Sequence, residues 1–171
     1  MKRLLEFFLC VILAVLTLPA VAGHHEGDCK AGGSWFGYDE QGSIWWTSTV
    51  DGQSASHGTL NLEVPGSVNF FDGAFAITEL KGQWEKTGGN TYDWTVVGIP
   101  FDEYATSLLI VKLSGSNILD EDCDMMMVTN LVMEVFPPVA DIYADDPAAV
   151  DTSFPDHPGY RVKVDLPELL P

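Results

Sequence analysis

"LKGQWEKTGGNTYDWTVVGI", residues 80–99, decides the reading of this chain. Leu80, Gly82 and Trp84 alternate with Lys81, Gln83 and Glu85; after the turn, Tyr92, Trp94 and Val96 alternate with Thr91, Asp93 and Thr95. A period of two places each set on one face of an extended strand, apolar toward a core and polar toward water. Between them, Gly88, Gly89 and Asn90 adopt positive φ at little cost, so the stretch predicts a β-hairpin.

The same alternation continues on both sides. In "HGTLNLEV" (57–64), Leu60, Leu62 and Val64 oppose Thr59, Asn61 and Glu63, and "AITELKGQWEK" (76–86) extends the Leu80 face back through Ala76 and Thr78. "GGSWFGYDE" (32–40) and "SIWWTSTVD" (43–51) fit two further strands joined through Gln41 and Gly42. "ATSLLIVKLSG" (105–115) and "CDMMMVTNLVMEVF" (123–136) are apolar on both faces, as long mid-sheet strands are. No long stripe of 3.6-residue period interrupts them before Phe136.

After Phe136 the chain turns acidic and rich in Pro and Ala, "PPVADIYADDPAAVDTSFPDHPG". Asp145 or Asp146 is placed to cap a short helix through Pro147-Ala148-Ala149, and "YRVKVDL" (160–166) then alternates as a last strand. About seven or eight sequential strands predict an all-β fold, a single antiparallel up-and-down β-barrel over residues 32–136. A polar segment (23–31) precedes it and an acidic C-terminal extension (137–171) follows.

The first residues, "MKRLLEFFLCVILAVLTLPAVA", have the plan of a secretory signal peptide: Lys2 and Arg3, an apolar run, then Ala20-Val21-Ala22 as an A-x-A cleavage site. Glu6 inside the run and the cleavage site after it argue against a retained membrane span. Leu9 before Cys10, where a small residue is needed, argues against lipidation. The expected location is therefore the periplasm or the medium. The net charge of −17 grows more negative once Lys2, Arg3 and Glu6 leave together, which opposes nucleic acid and anionic lipid as partners. Cys29 and Cys123 then remain, and an oxidising compartment favours a disulfide between them. Zinc is the alternative, without any Cys-x-x-Cys spacing to support it.

The segment 82–102, "GQWEKTGGNTYDWTVVGIPFD", resembles the hairpin of small bacterial lipocalin-like, calycin-type proteins. Gly33-Ser34-Trp35 is similar to the Gly-x-Trp that opens the first strand of lipocalins. The resemblance implies an eight-stranded barrel whose mouth holds one small apolar ligand, and a late arginine packed over the first-strand tryptophan, for which Arg161 is the candidate. No Thr-Asp-Tyr motif of the classical members occurs.

The expected ligand-binding set is Leu60, Leu62, Leu80, Trp84, Tyr92, Trp94 and Val96, with the tyrosine hydroxyl and indole N–H groups as polar handles. Such side chains also simply fill a small lumen, in which case the protein is a closed interaction module. A third reading is a barrel enzyme of cyclase or isomerase type, marked by a lumen cluster such as Tyr92 with His57. Adjacent Trp45 and Trp46 are expected on opposite faces of their strand, leaving one for solvent or a partner. Met125, Met126, Met127 and Met133 suit irregular packing.

No catalytic set, cofactor or metal site is expected. No Gly-x-Ser-x-Gly, His-Glu-x-x-His or phosphate loop occurs, and His57 reads as a turn residue. In "DEDCD", Asp120, Glu121, Asp122 and Asp124 imitate the opening of a calcium loop. Met125 then stands where glycine is required and Leu131 where an acidic ligand is. His24 and His25 form a copper- or nickel-binding terminus only if cleavage exposes them suitably, and otherwise belong to a polar linker.

Overall fold

The structure is a computed structural model that describes residues 29–38, 43–52, 54 and 56–163. The signal-like segment, His24, His25 and the end of the "YRVKVDL" run lie outside them. The strands are β1 (Gly33–Tyr38), β2 (Ile44–Asp51), β3 (His57–Glu63), β4 (Ala76–Ile77), β5 (Leu80–Lys86), β6 (Thr91–Gly98), β7 (Pro100–Phe101), β8 (Ile110–Leu119), β9 (Met125–Phe136), β10 (Ala149–Asp151) and β11 (His157–Arg161). Eight of them close an antiparallel up-and-down barrel in the order β1-β2-β3-β5-β6-β8-β9-β11, and β11 pairs back onto β1. Closure leaves these strands no free sheet edge, which suits a strongly alternating all-β sequence.

The opening hairpin forms as β5 and β6, with Trp84 opposite Trp94 and Gly82 opposite Val96. Its turn differs from expectation: neither Gly88 nor Gly89 takes positive φ. The amides of Thr87 and Gly88 both donate to the carbonyl of Thr91 instead, and this four-residue loop needs no left-handed residue. The strand expected over 76–86 is broken at Thr78 and Glu79. There Thr78 exchanges hydrogen bonds with Ile99, and β4 leaves the barrel to pair with β7 as a separate ribbon.

The last wall of the barrel comes from beyond Phe136. β9 is long enough to pair with β11 through Met125–Val128 and with β10 through Met133–Val135, so β10 and β11 form one interrupted strand. The interruption faces a bulge in β9, where Asn130 takes φ 53° and the register against β8 shifts between Ser114 and Ser116. Asparagine tolerates that left-handed conformation better than most residues. The pairing thus carries the barrel to Arg161. The short helix expected through Pro147-Ala149 is absent; Ala149 already belongs to β10, and the preceding turn closes by Asp145 accepting the amide of Asp141.

One end of the barrel is sealed. Cys29 and Cys123 are joined at 1.98 Å, tying the segment before β1 to the β8–β9 turn. The buried hydroxyl of Tyr92 donates to the carbonyl of Cys29. Arg161 lies 4.2 Å above the ring of Trp35, donating from Nε to Cys123 O, from Nη1 to Gly32 O and from Nη2 to Lys30 O. Trp35 is buried and donates its indole N–H to Ala31 O at 3.0 Å. Stacking and a satisfied fork of donors both favour arginine here.

Inside, three of the indoles lie where a neighbouring strand carries glycine. A Cβ at Gly58 would stand 2.7 Å from Trp84 Nε1, and one at Gly115 would stand 2.9 Å from Trp94 Cζ2. Trp46 crosses both Gly37 and Gly159, at 2.2 and 2.6 Å from their notional Cβ positions. A small barrel accommodates these three indoles only where the adjacent strand is bare. The tightest position is Gly82, whose Cβ would fall 1.8 Å from the backbone oxygen of Thr95. Gly82→Ala is expected to lower stability by about 2 kcal/mol in denaturant unfolding. Gly89→Ala, with nothing within 4 Å, serves as the control and should fall within about 0.5 kcal/mol of wild type. Equal effects would refute this packing account.

Candidate functional site

The half of the lumen away from the disulfide is hollow. A cavity of about 200 Å³ opens toward the β3–β5 loop, where Phe70 and Phe71 stand at its rim. That volume exceeds an engineered apolar cavity of ~150 Å³ that admits benzene and falls below the ~300–1,000 Å³ of drug-sized pockets. Its walls come from inward positions of β2, β3, β5, β6, β8 and β9. These positions face inward because alternation fixes them there, and on β3, β5, β8 and β9 they are mostly Leu, Val and Met because that face is turned from water.

The seven residues singled out in the sequence are all buried, and the cavity divides them. Leu60, Leu62, Leu80 and Trp94 line it. Trp84 and Tyr92 belong to the sealed end, where their rings meet edge-on at 5.4 Å and the Trp84 N–H donates to Asp51 O. Val96 is fully enclosed and does not reach the cavity wall.

Trp45 and Trp46 correct the expectation of opposite faces. The register between β1 and β2 slips at this point, Gly37 pairing with Trp46 and Tyr38 with Ile44, so Trp45 is the extra residue of a bulge. A bulge re-aims its side chain, and both rings line the cavity and pack on His157. The Trp46 N–H is buried without a hydrogen-bond partner among the described residues.

Polar groups of the wall include Ser48, Asn117, Asp151 and His157. Asn117 Oδ1 accepts from Trp94 Nε1 at 2.9 Å. The side-chain and backbone hydrogen bonds of Ser153 hold the Asp151 carboxyl below the ordinary carboxylate range, against a smaller opposing effect of burial. His157 Nδ1 lies 3.0 Å from Pro155 O.

His57 is elsewhere: it is exposed at the sealed end with Nδ1 2.9 Å from Ser54 Oγ, while the Tyr92 hydroxyl is buried on Cys29. The two do not meet, and no Tyr92–His57 cluster exists. Asp120 of the acidic turn accepts the amides of Asp124 and Met125, and Lys163 pairs with Asp124 at 2.5 Å. Among the described residues, no three His, Cys, Asp or Glu side chains gather as metal ligands, and no helix is long and apolar enough to cross a membrane.

Sequence reasoning missed Asn117, whose place follows from the unbroken alternation Val111, Leu113, Gly115, Asn117, Leu119 along β8. It also missed Phe154 and His157, which stand in the stretch read as an extension. No family model matches the chain, and no curated protein or solved structure does either.

Proposed function

We propose that this protein is an exported, lipocalin-like barrel that binds a small apolar molecule in its lumen. The observation that carries the reading is the apolar cavity of about 200 Å³ set in an otherwise close-packed barrel. A void of that size loses dispersion contacts along its whole lining, a cost an occupant relieves. The size suits one or two rings or a short chain. Export is supported by the Lys2-Arg3, apolar-run and Ala20-Val21-Ala22 plan, together with a disulfide of the kind oxidising compartments maintain. The Gly33-Ser34-Trp35 opening with Arg161 over Trp35 supports the lipocalin-like reading.

A second reading has its own observation. Phe36, Tyr38 and Tyr160 form an aromatic cluster on the outer wall, with ring centroids 5.3 to 6.1 Å apart, which suits a protein contact.

Calorimetric titration with naphthalene-sized hydrocarbons separates the two. Wild type is expected to take up one equivalent, and Leu113→Phe combined with Leu131→Phe, which fills the wall, should weaken uptake at least about tenfold while preserving or raising the melting temperature. Uptake unaffected by the filled cavity, or no uptake at all, would leave the outer face as the better candidate.

A further inference from the structure

His157 stands on the cavity wall in a fixed orientation. Trp45 meets its ring edge-on at 4.7 Å between centroids and Trp46 at 6.3 Å. Its Nδ1 lies 3.0 Å from Pro155 O, and a carbonyl only accepts, so Nδ1 carries the proton. In the neutral ring Nε2 is then a bare acceptor, and it has no protein partner among the described residues. Asp151, on the same wall, is acceptor-only as well, and Ser153 occupies only its Oδ1. Both residues are half-exposed members of a largely apolar wall, and two acceptors on such a wall ask for a donor from the occupant. A carboxylate on the wall of a chain of net charge −17 repels an anionic one.

Resting on the apolar-ligand reading above, we infer that the occupant is a small neutral molecule bearing a hydroxyl, a phenol or alcohol, whose O–H donates to His157 Nε2. A hydrophobic carboxylate is the ligand this wall rejects.

The test uses the disulfide-intact protein and three ligands of one shape: 2-naphthol, 2-methylnaphthalene and 2-naphthoate, titrated by calorimetry. In a wall without an acceptor the naphthol would bind about tenfold or more weakly than the hydrocarbon, because its hydroxyl loses water and gains nothing. Wild type is expected to bind 2-naphthol at least as tightly as 2-methylnaphthalene, and 2-naphthoate at least about tenfold more weakly. His157→Phe should lower naphthol affinity about tenfold and change the hydrocarbon by less than about twofold. His157→Gln, whose amide oxygen accepts, should retain the naphthol preference.

A wild-type naphthol affinity tenfold below the hydrocarbon, naphthoate binding as well as naphthol, or His157→Phe weakening both neutral ligands alike would overturn the inference and leave the apolar cavity standing. If neither neutral ligand binds, the cavity reading itself fails and takes this inference with it. Should His157→Phe not fold, the ranking of the three ligands on wild type decides alone.

Discussion

Replacing Cys29 and Cys123 together by serine is expected to lower the unfolding free energy by about 4–5 kcal/mol, the chain-entropy value for a bridge whose loop spans 94 residues. For a domain of this size that corresponds to a melting temperature lower by roughly 10–20 °C. The effect falls on the unfolded state because the folded geometry has other supports: Tyr92 holds the carbonyl of Cys29, and Arg161 holds that of Cys123. The doubly substituted chain should therefore keep its native circular dichroism at low temperature while unfolding earlier. Scanning wild type with and without reductant, beside the double variant as a reductant-insensitive control, checks it. A shift under about 2 °C would mean that the bridge adds little.

Arg161→Ala is the second large effect, expected at about 3–4 kcal/mol. It removes three donors from the carbonyls of Cys123, Gly32 and Lys30, and uncovers the face of Trp35. Hydrogen bonds from a charged donor carry ~1.5–3 kcal/mol each when buried, and the sum is discounted because the Lys30 contact is exposed. Arg161→Lys keeps the charge and loses the fork, so it should recover less than half of the loss. Both the arginine and the disulfide fasten the segment before β1, so their effects should couple. With the bridge already removed, Arg161 is a main remaining fastening of that segment, so Arg161→Ala is expected to cost at least about 1 kcal/mol more than in wild type, measured as a double-mutant cycle in denaturant. Additivity within about 0.5 kcal/mol would show that the two fastenings act independently.

Much of the barrel was readable from local chemistry. Alternation is a property of neighbouring residues, so Leu60 and Leu62, Leu80 and Trp84, and Tyr92, Trp94 and Val96 announce their inward faces without any knowledge of what they meet. The packing of Arg161 on Trp35, expected only through a family resemblance, is present. What escaped depends on partners distant in the chain. Trp45 turns inward because β1 and β2 slip by one residue at Gly37, and no property of "WW" alone encodes that slip. The closing strand hides in a Pro-rich acidic stretch because β9 does the pairing for it: β10 and β11 need only short segments when a twelve-residue neighbour spans both. The cavity itself is a difference between the space enclosed and the side chains available, which no single residue declares. Its polar members, Asn117, Asp151 and His157, were overlooked for the same reason.

The arrangement of the tryptophans has a spectroscopic consequence. The chain contains five, and they occupy distinct surroundings: the indole N–H of Trp35 is on the carbonyl of Ala31, that of Trp84 on Asp51 O and that of Trp94 on the amide of Asn117, that of Trp46 is buried with no acceptor among the described residues, and the ring of Trp45 stands against an imidazole. In a nitrogen-labelled sample, dispersed indole resonances would then track separate regions of the barrel. Those of Trp35 and Trp84 follow the sealed end, while those of Trp45, Trp46 and Trp94 follow whatever enters the hollow half.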